Sequence, residues 1–188
     1  IKPQQLAQTQ INSVISLYSN GQIQEALDSV EVLIKDYPNE ALLYNVSGAC
    51  YAGLGQLDTA VKRYEKALDI KPDYAEAHNN LAITFQELGQ LDAAVKCYDQ
   101  ALAIKPDYAE AFNNLGIALK KLGQLDAAVK CYDQALAIKP DYAEAFNNLG
   151  IVLKELGQLD TAVKSYEKVL AIKPDFAEAH FNLGITLQ

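Results

Sequence analysis

Apolar residues recur along this chain with the three- and four-residue spacing of amphipathic helices, and the pattern repeats every 34 residues. Residues 109–142 show it clearly, as two apolar stripes separated by Gly123. The first stripe consists of Phe112, Leu115, Gly116, Leu119 and Leu122, and the second of Ala128, Tyr132, Ala135 and Ile138. The pattern predicts two short helices per repeat, each burying one face.

Residues that begin and end helices recur at the same interval. They include Gly21, Gly55, Gly89, Gly123 and Gly157, and Pro38, Pro72, Pro106, Pro140 and Pro174. Gly123 predicts a left-handed C-cap after the first helix of its repeat, and Pro140 ends the second helix. Asp107 followed by Glu110 predicts a capping box at the start of the first helix, and Asp126 is predicted to open the second.

The period divides the chain into similar units. The predicted repeats are 7–40, 41–74, 75–108, 109–142 and 143–176, and residues 177–188 begin a sixth with its first helix. Because the connections are only a few residues long, consecutive helices must be antiparallel neighbours. Such a period is typical of stacked helix–turn–helix repeats. We therefore predict an all-α fold, a right-handed α-solenoid superhelix that forms a single array over residues 1–188.

The same positions carry a resemblance to a known family. In repeat 143–176 the pattern consists of Phe146, Leu149, Gly150, Leu153, Ala162, Tyr166, Val169 and Pro174. It resembles the tetratricopeptide repeat (TPR), strongly over residues 41–188 and loosely over 7–40, where Gln10, Ser13 and Val14 replace the aromatic residue, Leu and Gly. The resemblance implies a protein-binding solenoid. It also implies that the face of each first helix opposite the core lines a concave groove.

Asparagine recurs in the middle of the first helices, although it is a mediocre helix former. Counted from the start of each repeat, position 6 holds Asn80, Asn114, Asn148 and Asn182, and position 5 holds Asn45, Asn79, Asn113 and Asn147. A carboxamide has a donor and an acceptor, which match those of a peptide group. The position-6 residues resemble the asparagine ladder of the TPR superhelix of O-GlcNAc transferases, which holds peptide backbone. We interpret position 6 as a peptide-binding ladder. The alternative for position 6 is a bond to an adjacent helix. Position 5 turns toward the neighbouring repeat, and there we favour that bond over a role in the groove.

Two further sets of residues are candidates for the groove. Position 9 holds Ile83, Ile117 and Ile151, which form either an apolar strip for ligand side chains or a partly buried contact between helices. Lys120, Lys121 and Lys154 form a small basic spot, for which the alternative is a solvated helix end. The carboxylate clamp of some TPR proteins needs Lys or Arg near positions 2, 5 and 6. This chain has Glu and Asn there, so we do not expect that mode of binding.

Composition excludes several classes of function. The net charge of −8 argues against nucleic-acid binding and against attraction to an anionic membrane, and no apolar run is long enough for membrane insertion. The three cysteines, Cys50, Cys97 and Cys131, are too few for a disulfide framework, which favours a reducing, cytoplasmic location. His78 and His180 occupy a position filled by Phe in sister repeats, so we interpret them as core residues. No motif indicates an active site, a metal or a cofactor, and we predict that the chain is not an enzyme.

Three hypotheses for function follow. The first is a non-catalytic scaffold that binds an extended or helical peptide segment in its groove. The second is the N-terminal recruiting region of a larger bacterial transferase, suggested by the end of the sequence at Gln188 within a helix whose apolar Leu183 and Leu187 have no covering helix. The third is self-association through uncapped ends. The predicted partner is therefore a protein, a peptide or a second copy of the chain.

Overall fold

In the computed structural model, which describes residues 8–187, these residues form eleven α-helices and no strand. They divide into two compact units with the boundary between Gln90 and Leu91. Ala7, with which the first predicted repeat begins, and Gln188 lie outside the described residues. The all-α prediction is confirmed, whereas the organisation as a single array stays a prediction.

The first unit contains five of these helices. They are α1 (Gln8–Ser19), α2 (Ile23–Asp36), α3 (Ala41–Gly53), α4 (Leu57–Ile70) and α5 (Ala75–Glu87). Each helix packs against the next one in the chain, and the first helices of successive repeats also touch, α1 with α3 and α3 with α5.

The second unit contains the other six and follows the same scheme. They are α6 (Leu91–Ile104), α7 (Ala109–Lys121), α8 (Leu125–Ile138), α9 (Ala143–Glu155), α10 (Leu159–Ile172) and α11 (Ala177–Thr186). Consecutive helices pack together, and α9 also touches α7 and α11. Within each unit this arrangement of consecutive packed helices is consistent with a TPR α-solenoid.

The predicted turn after each first helix is confirmed. Gly123 has a φ of +75°, in the left-handed region that favours glycine. Its N–H donates to the carbonyl of Lys120 at 2.9 Å, and the N–H of Gln124 donates to that of Leu119 at 2.9 Å. These two bonds form a Schellman motif, which satisfies carbonyls at the end of α7.

The predicted capping box is wrong. Tyr108, not Asp107, is the N-cap residue of α7, and no side chain makes a capping hydrogen bond there. Glu110 is consequently one position too close to the helix start for a capping box. The tight turn instead places the ammonium of Lys105 4.4 Å from the centre of the Tyr108 ring, which is a cation–π contact. Lys71 and Tyr74 form the equivalent contact in the preceding repeat. Similarly, α8 begins at Leu125 with Gln124 as its N-cap residue, so Asp126 lies within the first turn.

Large tyrosines of the second helices fill the space against glycines of the first helices. Tyr132 and Tyr166 have no exposed surface. A Cβ atom added to Gly116 would lie 2.6 Å from Cε1 of Tyr132, and one added to Gly150 would lie 2.5 Å from Cε1 of Tyr166. The glycines therefore let the tyrosine rings approach the helix backbone.

The histidines at position 4 are not core residues in the predicted sense. His78 is half-buried and His180 is exposed. Nε2 of His78 lies 3.0 Å from the carbonyl oxygen of Pro72, and Nε2 of His180 lies 2.8 Å from that of Pro174. A carbonyl can only accept, so these nitrogens carry the proton. The hydroxyl of Tyr44, at the same repeat position, donates to the carbonyl oxygen of Pro38. These side chains at position 4 therefore stabilise the loop that precedes their helix.

A candidate peptide-binding site on the first helices

The paired asparagines connect successive repeats inside each unit. In the first unit, Nδ2 of Asn80 donates to Oδ1 of Asn45 at 3.1 Å. In the second, Asn148 donates to Asn113 at 3.0 Å and Asn182 to Asn147 at 3.4 Å. Each of these bonds joins position 6 of one repeat to position 5 of the repeat before it.

Burial separates the two positions. The position-5 residues Asn45, Asn79, Asn113 and Asn147 are all buried. At position 6, Asn80, Asn114 and Asn148 are half-buried, whereas Asn182 is buried. Asn114 accepts a long bond of 3.5 Å from Nδ2 of its neighbour Asn113. Position 5 therefore lies between helices, and three of the four position-6 carboxamides keep partial access to solvent.

The hydrogen bonds leave part of the half-buried position-6 carboxamides available. A carboxamide has two N–H groups and an oxygen with two lone pairs. Asn80 and Asn148 each use one N–H on the preceding repeat. The remaining N–H and the oxygen are complementary to the C=O and N–H of a peptide group, and the first bond orients them.

The first unit contains a cavity of about 270 Å³ on the side of these asparagines. The first helices contribute Tyr18 from α1, Ala49, Ala52 and Gly53 from α3, and Asn80, Ile83, Thr84 and Glu87 from α5. Tyr64 of α4 completes the lining. Two residues predicted for the groove, Asn80 and Ile83, thus share one concave site.

The phenols of this cavity stay neutral. Burial raises the pKa of Tyr64 well above its usual value, with smaller contributions from Tyr18, Cys50 and Glu87. Burial also raises the pKa of Tyr18. Among the described residues that line the cavity, Glu87 is the only acidic or basic one besides these phenols.

The other predicted groove residues occupy varied environments. Ile117 and Ile151 are half-buried, as is Ile83. Lys120 makes an ion pair of 3.4 Å with Glu155, Lys121 is exposed and Lys154 is half-buried. The partner of Lys120 is on α9, so this lysine connects the first helices of two repeats.

A polar cluster in the first unit was not predicted. Glu31 of α2 accepts a hydrogen bond of 2.7 Å from the hydroxyl of Ser47 and forms an ion pair of 2.8 Å with Arg63. Arg63 also lies 5.6 Å from the ring centre of Tyr51. The period gives no signal for the cluster, because the later repeats have Cys or Ser in place of Arg63 and Leu in place of Ser47, although all of them keep an acidic residue at the position of Glu31.

The described residues show no membrane-spanning helix and no metal-binding cluster beside this site, and two of their thiols are buried or protonated. Cys50 is buried, and burial raises the pKa of Cys131 to about 11, so that its thiol is protonated at neutral pH. None of the described helices is both long and apolar enough to cross a bilayer. In the same part of the chain, His, Cys, Asp and Glu side chains form no group of three or more that could hold a metal ion.

A comparison of the sequence with models of known protein families identifies the family of this chain. A model described as TPR repeat matches residues 48–89, 85–123, 118–157 and 152–188. The chain belongs to the tetratricopeptide-repeat family. The predicted membership is confirmed, and the family model begins within α3. No curated protein sequence matches this TPR chain.

Solved structures share its TPR fold. MamA is 24% identical with a TM-score of 0.77, and the match covers 87% of this chain and 95% of MamA. YrrB, described as a TPR protein with an unusual peptide-binding site, is 23% identical with a TM-score of 0.73, covering 94% of this chain and 91% of YrrB. A thermophilic TPR protein from Thermus thermophilus is 22% identical with a TM-score of 0.76, covering 96% of this chain and 98% of that one. At these identities the likeness shows the fold.

Proposed function

We propose that this TPR chain is a non-catalytic protein-interaction scaffold that holds an extended peptide segment along its first helices. The observation that carries the proposal is the anchoring of position-6 asparagines by position-5 asparagines, at 3.1 Å for Asn80 and 3.0 Å for Asn148. An anchored carboxamide loses little conformational freedom when a ligand binds, which favours affinity.

The spacing of the asparagines suits a peptide backbone. Packed helices are about 8–10 Å apart, and an extended chain advances roughly 3.3–3.6 Å per residue. A carboxamide would therefore meet every second or third residue of the peptide. Recognition through main-chain groups predicts tolerance of many ligand side chains, with selectivity coming from the surrounding surface.

Replacing both Asn114 and Asn148 by alanine is expected to weaken peptide binding about tenfold. Each lost hydrogen bond contributes about 0.5–1.5 kcal/mol, and two such losses add to roughly one factor of ten. The ligands are 12-residue peptides selected from a random display library on the full chain, and fluorescence anisotropy measures their dissociation constants.

Asn113→Ala is the matched control for this prediction. It removes the hydrogen-bond partner of both Asn148 and Asn114 but leaves their carboxamides in place, so it should cost about 1 kcal/mol of stability and weaken binding less than the double variant. Unchanged peptide affinity in the double variant would contradict the proposal, as would a library that yields no binding peptide.

A second candidate function is self-association through α11. This helix exposes Phe181 at 67% of its surface and Ile185 at 42%, and Leu187, its C-cap residue, is exposed at 67%. Such apolar residues on neighbouring turns form a surface that a second copy could cover.

The free cysteines among the described residues are compatible with the predicted cytoplasmic location.

If self-association occurs, Phe181→Asp should convert the assembled species to the mass of one chain. Light scattering across a dilution series measures the mass. Val32→Asp is the control, because Val32 is also exposed, at 57%, but lies on α2. A wild-type mass of one chain at every concentration would exclude this candidate.

A further inference from the structure

The cavity of the first unit has the size of a side chain. Its volume of about 270 Å³ lies below the roughly 300–1,000 Å³ of pockets that enclose drug-sized ligands. Ala49 and Ala52 contribute only methyl groups to its lining and are half-buried, so part of the surface of α3 is left open there. One long, thin side chain is the natural occupant.

The polar groups of the cavity are rich in acceptors. One N–H of Asn80 is committed to Asn45, and the hydroxyl proton of Thr84 is committed to the main-chain oxygen of Asn80 at 2.9 Å. The carboxylate of Glu87 can only accept. A ligand group that donates several hydrogen bonds would satisfy these oxygens.

The ends of three helices add to the negative potential. The lining includes Tyr18 in the last turn of α1, Ala52 and Gly53 in the last turn of α3, and Glu87 at the end of α5. The C-terminal end of a helix carries a partial negative charge of about half an elementary charge. Three such ends and a carboxylate favour a cation.

No described cation neutralises this charge. The described ion pairs do not involve Glu87. Arg63, the single arginine of the sequence, is held by Glu31 at 2.8 Å. The half-exposed phenol ring of Tyr18 would add a favourable cation–π contact to a bound cation.

We propose that this cavity binds a cationic side chain, arginine or lysine, of the partner polypeptide. The aliphatic stem lies along Ala49 and Ala52, and the cation reaches Glu87 and the oxygen of Asn80. This inference rests on the proposed function, since the side chain belongs to the peptide held along the first helices. The overall charge of −8 adds long-range attraction for a basic segment.

The test titrates two small probes into the ¹⁵N-labelled full chain and follows the backbone amide of Gly53 and the side-chain amide of Asn80 by NMR. The probes are N-acetyl-arginine amide and N-acetyl-citrulline amide, which have nearly the same shape but differ in charge. We expect the arginine probe to shift both resonances, with a dissociation constant on the order of millimolar, and the citrulline probe to bind at least about fivefold more weakly.

Glu87→Gln should weaken the arginine probe about five- to tenfold, because a charged hydrogen bond becomes neutral. Glu65→Gln is the control, since Glu65 is an exposed residue of α4 outside the cavity lining. Equal binding of the two probes, wild-type affinity in Glu87→Gln, or no shift at Gly53 and Asn80 would each overturn the inference.

The two proposals can fail separately. If library peptides bind the chain but arginine and citrulline probes bind equally, the cation site is wrong and the scaffold stands. If the arginine probe binds as expected but no peptide does, the scaffold is wrong and the cavity is a site for a free cationic ligand.

Discussion

Tyr132→Ala is expected to lower the free energy of unfolding by about 3–5 kcal/mol, because it empties a fully enclosed site between α7 and α8. The ring lies against the backbone at Gly116, where a methyl group would already be too close. Neither helix can close the gap without moving away from its other neighbour in the unit. Chemical denaturation followed by circular dichroism measures the loss.

Tyr132→Phe is the matched control for that change. The hydroxyl of Tyr132 is buried without a hydrogen-bond partner in the part of the chain that the structure describes. Removing it should therefore be neutral or slightly stabilising, since an unsatisfied buried polar group costs about 1–3 kcal/mol. A phenylalanine variant as unstable as the alanine variant would show that the hydroxyl, and not the ring, stabilises this site.

Gly150→Ala is expected to lower the free energy of unfolding by about 1–3 kcal/mol, because its new Cβ atom would overpack the site. The clash is with the ring of Tyr166, which has no exposed surface and cannot turn away. This loss outweighs the gain of about 1 kcal/mol that alanine has over glycine in a helix. Repeat 75–108 has Ala82 at the same position, so we expect a destabilised fold and not an unfolded chain.

Gly184→Ala, the same substitution in α11, is expected to raise the free energy of unfolding instead of lowering it. Gly184 occupies the same position in α11, and nothing lies within 4 Å of the Cβ atom it would gain. Helix propensity alone then predicts a gain of up to about 1 kcal/mol. Denaturation midpoints of the two variants, measured beside the wild-type chain, separate the contact with tyrosine from the general preference for alanine. Two variants that both gain stability would contradict the overpacking argument.

The parts of the fold that repeat could be predicted from the sequence, and the parts that occur once could not. The turn at Gly123 and the contact of Tyr132 with Gly116 follow from spacing, because each recurs at a fixed interval. The capping box at Asp107 failed because residue preference says nothing about the tight turn that places Tyr108 at the helix start. There, tertiary geometry overrides local preference.

The candidate site divides in the same way. The recurrence of Asn80 and Asn148 predicted a row of carboxamides, and at position 5 the sequence favoured a bond between helices over a role in the groove. The cavity could not be predicted, because equivalent positions of successive repeats carry unlike side chains there: Ala52 lies 34 residues after Tyr18, and Glu87 lies 34 residues after Gly53. Their proximity is a property of packing in the first unit.

The bonds between Asn80 and Asn45 and between Asn148 and Asn113 also bear on how such a protein grows. Each repeat that carries both asparagines has an acceptor for the repeat after it and a donor for the repeat before it. A duplicated repeat inserted beside its parent would find both partners already present, so a gene duplication could lengthen the protein without a compensating mutation. The contact between repeats is therefore copied together with the repeat, and each added copy would add one carboxamide to the proposed peptide-binding row.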